Sequence, residues 1–514
     1  MSNAVLELTK EIEQLKQDKF LLEEKVKDLE HRLFGKKSEK IKDESPELFN
    51  EAEFIQENGP AYVEKETITY QRKKKKGGRK KLPDHLPRIT IVHDIPEEEK
   101  QCACGCEMKK IGEEVSERLR YTPPVFEVEK HVRLKYGCRN CQGAESEGIH
   151  PAIKIAPAAP SILPKTIATC GLFTNIIINK FCDALPFYRQ EKIFKRCNID
   201  LTRSMMSRWA VIGFENMKIF FECLYEELLR SYFIGIDETR VQVLNEPDKK
   251  PESLSFMWVY RGVTDRQIIL IYQYDPSRSG KVPDEYLRNY KGRIQTDGYG
   301  GYNRLAKSAN IIRYGCWAHV RRKFIEAINA GSDGGLSRKF VDLIGILYKI
   351  EKDLREDRAT PVEIAAMRVK ESLPVIMQIK KMAEDKQCSI LPKSKLGIAV
   401  NYLLGEWETL DKYIYDGVMP IDNNYVENAI RPFVIGRRNW LFYDTQDGAK
   451  ASAGYYSLIE TAKANCLEPY SFLNYLFEKI PVCREKSDYQ KLLPMNIDRS
   501  LLKTYELPKS TCGR

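Results

Sequence analysis

The strongest constraint on this chain is a change of texture at residue 232. Before it the apolar residues recur at helical spacing; after it they alternate. YFIGIDETRVQVL is followed by FMWVYRGV and QIILIYQY, then by a helical stretch near 278–290, then by GRIQTDGYGGY and IIRYGCWAHVRRKF. A period of two marks strands, and a three-strand meander, a crossover helix and further strands specify an α/β fold around a mixed sheet. Against that pattern Asp237, in mid-strand in IGIDETRV, is anomalous, because a carboxylate there needs a partner or a metal. Asp297 ends RIQTD just before Gly298, which lets the backbone turn and leaves the carboxylate at the strand's mouth. Glu427, in NNYVENAIRP, falls at the start of a helix, with Asp422 as its competitor for the role of third acid. Three acids converging from two strands and a helix can hold two Mg²⁺ (or Mn²⁺) ions about 3.5–4 Å apart, the arrangement that supports phosphodiester transfer. Oxygen-only ligands also select these ions over zinc.

Helical segments flank the sheet region. Residues 158–230 read as three amphipathic helices with short breaks, the last capped by Thr202 and opening with Arg203, Ser204, Ser207 and Arg208. A short helix, a turn and a longer helix with a polar, basic start fit a helix-turn-helix DNA reader contacting DNA through Arg203 and Arg208. Three-helix packing without a ligand gives the same pattern. About 325–415 is largely helical. His319, Arg321 and Arg322 open the helix after the fifth strand, near the mouth of the acid cluster. Beyond Glu427, Arg431, Arg437 and Arg438 suit phosphate contacts, and Trp440 offers a stacking face for an end base. A helical tail follows at 455–480, and the final thirty residues read as loosely ordered.

The N-terminal part has a different character. Leu8, Leu15, Leu22 and Leu29 fall seven apart, Val5, Ile12, Val26 and Leu33 take the other seam position, and Lys19 interrupts the seam. This is the pattern of a short coiled coil that joins copies of the chain. A polar linker follows, containing RKKKKGGRKK at 72–81. The formal charge of the chain is +10, and these eight basic residues leave only +2 elsewhere (10 − 8 = 2). Basicity this concentrated points to a polyanion, with Lys75, Lys76 and Arg79 as contacts along DNA. Next come Cys102, Cys104 and Cys106, then Cys138 and Cys141. Two cysteine knuckles suit a structural tetrahedral Zn²⁺ site; the second has the usual two-residue gap, whereas CACGC leaves open which two of its three sulfurs bind. Paired and scattered cysteines in a long chain indicate reduced thiols in a cytosol.

Several classes are excluded. SGKVP at 279–283 lacks the upstream Gly and the Ser or Thr of a phosphate loop, and GxSxG, HExxH and a strand-following GxGxxG are absent. No run approaches eighteen apolar residues, so no membrane span or membrane partner is expected, and MSNAVLELTKEIEQ is not a secretory signal.

The segments HRLFGKKSEK (31–40), IDETRVQVL (236–244), QTDGYGGYNRL (295–305), CWAHVRRKF (316–324) and DNNYVENAIRPFVIGRRNWLF (422–442), in this order, resemble the insertion-sequence 66 family of bacterial transposases over nearly the whole chain. The resemblance implies a multidomain α/β protein. Its parts would be an N-terminal coiled coil (1–36), a basic linker (37–95), a zinc-binding ribbon (96–150), a helical, helix-turn-helix-like DNA-binding region (151–230), an RNase H-like DDE catalytic core (231–460) and a C-terminal helical module and tail (461–514). An all-helical insertion at about 325–415 explains the gaps of 60 and 130 residues between the acids. Asp237 then matches the acid of the DET motif, Asp297 that of TDGY, and Glu427 that of the NNxxE motif; the CACGC knuckle departs from the family's commoner CxxCG spacing. The implied activity is binding of terminal inverted repeats of an insertion sequence, followed by two-metal-ion strand cleavage and strand transfer. The implied partners are double-stranded DNA of the element ends and target, further copies of the chain, and small accessory proteins of the element, in the bacterial cytoplasm at the nucleoid. A non-catalytic DNA-binding regulator, or a domesticated transposase remnant, is the alternative.

Overall fold

The computed structural model describes residues 126–137, 153–264, 267–330 and 335–502, with Lys19, Leu22, Val26 and Thr90 as isolated positions. The rest of the heptad segment, the basic run with Lys75, Lys76 and Arg79, and Cys102, Cys104, Cys106, Cys138 and Cys141 lie outside the described residues. The chain divides into two compact units, residues 61–159 and the remainder. Within the first, β1 (Lys135–Gly137) and β2 (Ile153–Ile155) form an antiparallel pair. Arg133 Nε extends it by donating to the Ala156 carbonyl at 2.7 Å.

From residue 160 on, the described residues of the second unit open with four helices, where the sequence pattern suggests three. Thr169 caps α1 (Cys170–Phe181), its hydroxyl accepting the Leu172 N–H. The helix cannot run on into PFY, because Ala184 takes positive φ and Pro186 forces the preceding residue out of helical geometry. α2 (Phe187–Arg196) therefore starts afresh and closes on Asn198, also at positive φ. Thr202 caps α3 (Arg203–Glu215) as expected. The chain breaks again at Asn216, whose side-chain amide donates to the Ile162 carbonyl at 2.8 Å, and resumes in α4 (Lys218–Leu228).

The sheet is mixed. β3 (Phe233–Asn245) pairs antiparallel with β4 (Leu254–Val263), which pairs antiparallel with β5 (Ile268–Asp275). A short α5 (Lys281–Tyr286) leads to β6 (Gly292–Gln295), parallel to β3, and to β7 (Ile311–Tyr314), parallel to β6. The order is β5-β4-β3-β6-β7. Helices then follow without a strand: α6 (Trp317–Asn329), α7 (Leu336–Glu356), α8 (Pro361–Met367), α9 (Leu373–Gln387) and α10 (Lys395–Gly405). The chain returns to the sheet with α11 (Asn424–Trp440) and β8 (Tyr443–Thr445), which lies parallel along the far end of β3. It closes with α12 (Gln446–Ala464), α13 (Pro469–Lys479) and α14 (Lys486–Lys491).

Two apolar cores result. One joins the sheet to α1, α3, α4, α11, α12 and α13; the other gathers α6, α7, α9 and α10 around Trp317, Phe324, Phe340 and Ile376. The outer edge of β5 would otherwise be open for pairing with another chain. Instead Ser457 and Thr461 of α12 and Asn465, which caps its C-terminus, spaced four apart, bond the backbone of Tyr272, Leu270 and Ile268. In the second core Arg368 is buried, forking onto Glu351 at 2.7 and 2.6 Å and donating to the carbonyls of Tyr413, Asp416 and Met419. The reading of the last thirty residues as loosely ordered is corrected as far as residue 502: Leu492, Leu493 and Ile497 are buried in the first core.

Candidate active site

The three acids are brought together by register and by one close helix approach. β3 and β6 run parallel with Gly235 opposite Gln295. Asp237 and Asp297 each lie two residues beyond that pair, and a step of two along a strand restores the same face. Asp237 still lies within β3, opposite Val259 of β4. Asp297 lies past the end of β6, and its Oδ1 accepts the Tyr299 N–H at 3.0 Å, which starts the turn. Glu427 occupies the first turn of α11. That helix can approach β3 because Gly235 has no side chain: a Cβ there would stand 2.3 Å from Val426 Cγ2. Asn423, just before α11, donates from Nδ2 to the Ile236 carbonyl at 3.1 Å, fixing the helix start one residue from Asp237.

The electrostatics follow from this crowding. Burial pushes the Asp237 carboxyl well above the usual carboxylate range, and the charges of Glu238, Asp297 and Glu427 push it further, with His319 opposing. Glu427 is 2% exposed. Its carboxylate takes Arg322 Nη2 at 3.2 and 3.3 Å, and His319 Nε2 lies 3.7 Å away. Among the described residues no group of three or more His, Cys, Asp or Glu is disposed to hold a metal ion as it stands. The donor chemistry nevertheless fits hard divalent cations: all three donors are carboxylates, and their mutual repulsion in a poorly solvated place is what a bound cation relieves.

The remaining expected contacts divide. Arg203 and Arg208 are exposed on α3, and the Arg203 guanidinium lies 5.9 Å from the exposed Tyr188 ring of α2. Arg321 and Arg438 are exposed, and Arg431 is half-buried. Five of these side chains are already engaged within the protein. Arg437 is buried and donates to Thr239 Oγ1 at 3.2 Å and to the Arg240 carbonyl, so it ties α11 to β3 instead of facing DNA. Trp440 is half-buried, with Lys180 Nζ 4.0 Å from its ring and Phe181 meeting it edge-on. His319 is buried beside Glu427, and Arg322 is turned onto the same carboxylate. Asp422 accepts from the Tyr348 hydroxyl at 2.8 Å and from Asn424.

Sequence reasoning passed over a second layer. Glu238 is buried next to Asp237 and accepts from Arg278 Nε at 2.7 Å and from the Tyr302 hydroxyl. Its signal was in the DET triplet itself, where two adjacent acids on a strand must face opposite sides. Arg313 and Tyr402 also reach the Asp297 turn, with no local signal in either case.

Fold and residues together define a mixed α/β protein with acids on two neighbouring parallel strands, Asp237 inside β3 and Asp297 just past the end of β6. The chain belongs to the IS66 transposase family: residues 165–451 match the family described as "Transposase IS66 family". Residues 99–142 match the "zinc-finger binding domain of transposase IS66", residues 21–91 the "Transposase C of IS166 homeodomain", and residues 457–495 the "IS66 C-terminal element". Similar proteins include three from Sinorhizobium fredii (strain NBRC 101917 / NGR234). Uncharacterized protein y4qI is 31% identical over 433 residues, 81% of this chain and 77% of its own. Uncharacterized protein y4jD is 30% identical over 413 residues, 78% of each chain. Uncharacterized protein y4hP is 27% identical over 460 residues, 84% of this chain and 79% of its own. Among the described residues no helix is long and apolar enough to cross a membrane.

Proposed function

We propose that this protein is a DDE transposase with an RNase H-like core. It binds the terminal inverted repeats of its element, cleaves a strand at the element end, and joins the freed end to target DNA. The observation that carries the reading is the parallel register of β3 and β6, which puts Asp237 and Asp297 side by side, with α11 bringing Glu427 to them. The strand order, a three-strand antiparallel meander extended by two parallel strands, supports the RNase H-like reading. Asp237, Asp297 and Glu427 would hold Mg²⁺ or Mn²⁺. Such cations supply charge neutralisation to the attacking and leaving oxygens of an in-line phosphoryl displacement.

The protein's own groups do the rest. Asp237 on β3 and Asp297 just past β6 would face one phosphodiester group across the cations they hold. Arg322 and His319 hold Glu427 while the site is unloaded, which keeps an unneutralised carboxylate from being buried alone. The exposed Arg203, Arg208, Arg321 and Arg438 would meet DNA phosphates, as would Arg431 on the Glu427 helix. In the first displacement water adds at phosphorus and the 3′-oxygen leaves with a proton. In the second, that 3′-hydroxyl adds to a target phosphodiester and expels a new 3′-oxygen. No protein nucleophile takes part. Four of the five clustered cysteines would hold a structural Zn²⁺, the heptad segment would pair copies of the chain, and Lys75, Lys76 and Arg79 would track the phosphates. The setting is the bacterial cytoplasm, at the nucleoid, with small accessory proteins of the element as further partners.

One observation favours the alternative of a non-catalytic DNA-binding regulator or domesticated remnant: Glu427 is already paired with Arg322. A labelled duplex carrying the element end, incubated with Mg²⁺, separates the two. Cleavage and joining by the wild type, lost in Asp297→Asn with DNA binding intact, is the expected result. Equal activity in both proteins removes Asp297 from the site. Binding without cleavage in either favours the regulator.

A further inference from the structure

The turn that carries Asp297 is clasped by the helical block. The Asp297 carbonyl accepts Arg313 Nη2 at 2.5 Å, and the same nitrogen reaches Glu406 Oε2 at 2.7 Å. Arg313 Nε also holds Thr296 Oγ1 at 2.8 Å. The N–H of that same peptide group, belonging to Gly298, donates to the Tyr402 hydroxyl at 3.0 Å, across 104 residues of sequence. Tyr402 lies on α10 and Glu406 directly follows it. The fit is tight: a Cβ at Gly298 would stand 2.5 Å from the Tyr402 ring. Arg313 is 4% exposed, so its ion pair with Glu406 is shielded from solvent and holds its geometry. Thr409 adds a second hold on Glu406, its hydroxyl donating to Oε2 at 3.2 Å.

This clasp matters because Asp297 lies beyond the last hydrogen-bonded pair of β6 and β3. Without outside contacts the peptide group that follows it would be free to rotate, and the carboxylate with it. We propose that Tyr402 and Glu406 of the helical block are positioning residues for Asp297, so that the block completes the cation-binding site. Neither residue touches a cation or DNA; each acts on the main chain that aims the carboxylate. The proposal rests on Asp297 being a cation ligand, as proposed above. Outer-shell partners of metal ligands typically affect metal affinity by roughly ten- to a hundredfold.

The test uses the full-length chain and Mn²⁺ alone. Mn²⁺ binding is followed by titration calorimetry in wild type, Asp297→Asn, Tyr402→Phe and Glu406→Gln. Tyr402→Phe keeps the packed ring and removes only the acceptor, so it stays interpretable if Glu406→Gln does not fold. The expected result is loss of binding in Asp297→Asn and a roughly tenfold rise in the half-saturating Mn²⁺ concentration in the other two. A second readout is cleavage of an element-end duplex across a Mn²⁺ series. Positioning predicts that Tyr402→Phe regains the wild-type rate at high Mn²⁺, whereas a general packing defect lowers the rate at every concentration. Binding lost in Asp297→Asn but unchanged in Tyr402→Phe overturns the positioning role alone. Equal Mn²⁺ binding in Asp297→Asn and wild type overturns it together with the acid assignment.

Discussion

Asp237 and Asp297 end up side by side, yet they are held in different ways. Asp237 is part of a strand paired on its β4 side from Phe233 to Gln242, so its backbone is fixed by a ladder. Asp297 has outrun its ladder and is held by side chains that arrive from Arg313, Tyr402 and, through Arg313, Glu406. The difference teaches that one acid is built into the sheet while the other depends on a helical block folded far away in sequence. Damage to that block should therefore reach Asp297 and spare Asp237.

The largest expected effect comes from breaking the block itself. Arg368→Met leaves Glu351 as a buried, unpaired charge and three carbonyls without their donor. Such a loss costs about 3–5 kcal/mol, read by urea unfolding. If the comparison holds, Mn²⁺ affinity falls in this variant even where it remains folded.

Next come two glycines. Gly298→Ala forces a methyl against the Tyr402 ring, and Gly235→Ala forces one against Val426. Each overlap costs about 1–3 kcal/mol. The first should disturb Asp297 and the second Glu427, so the double variant should bind Mn²⁺ more weakly than either single one. A double variant no worse than Gly235→Ala would mean that the Asp297 turn does not depend on its contact with Tyr402.

A third effect concerns pH. The folded-state pKa of Asp237 lies above its unfolded value of about 3.9. An acid shifted this way keeps its proton longer in the folded state, so its contribution to stability declines as pH rises from the unfolded value toward the folded one. Asp237→Asn should accordingly melt at a higher temperature than wild type at pH 7–8 without divalent cations. The two should converge near pH 4, and Mg²⁺ should narrow the gap at pH 7–8 by stabilising wild type. A gap that does not vary with pH would disprove the crowding of carboxylates. The smallest effect is expected on the outer surface: Arg203→Ala or Arg208→Ala should each lower the salt dependence of DNA binding by about one unit of slope, with Mn²⁺ binding unchanged.

Much of this arrangement was legible before any coordinates. The alternating segments from 232 onward are strands, and Asp237, Asp297 and Glu427 stand out because a carboxylate in a strand, before a turn glycine, or at a helix start is locally conspicuous. The helical region was blurred at its joints. Ala184 at positive φ and the Asn216 bond to Ile162 are settled by packing, not by period. The partners of Arg437 and Trp440 are hidden for the same reason: sequence reveals a charge and a ring but not the Thr239 hydroxyl or the Lys180 side chain beside them.

By itself, then, the sequence determined the kinds of elements, their order, and the all-oxygen character of the acid cluster. These depend on local periodicity and residue chemistry, which travel with the chain. Tertiary structure alone decided that β3 and β6 align Gly235 with Gln295, that Arg322 occupies Glu427, and that Tyr402 grips Gly298. Those are pairings between groups that sequence keeps 60 to 105 residues apart. They come into being only when burial of two apolar cores brings the elements together and leaves each buried polar group to find a partner.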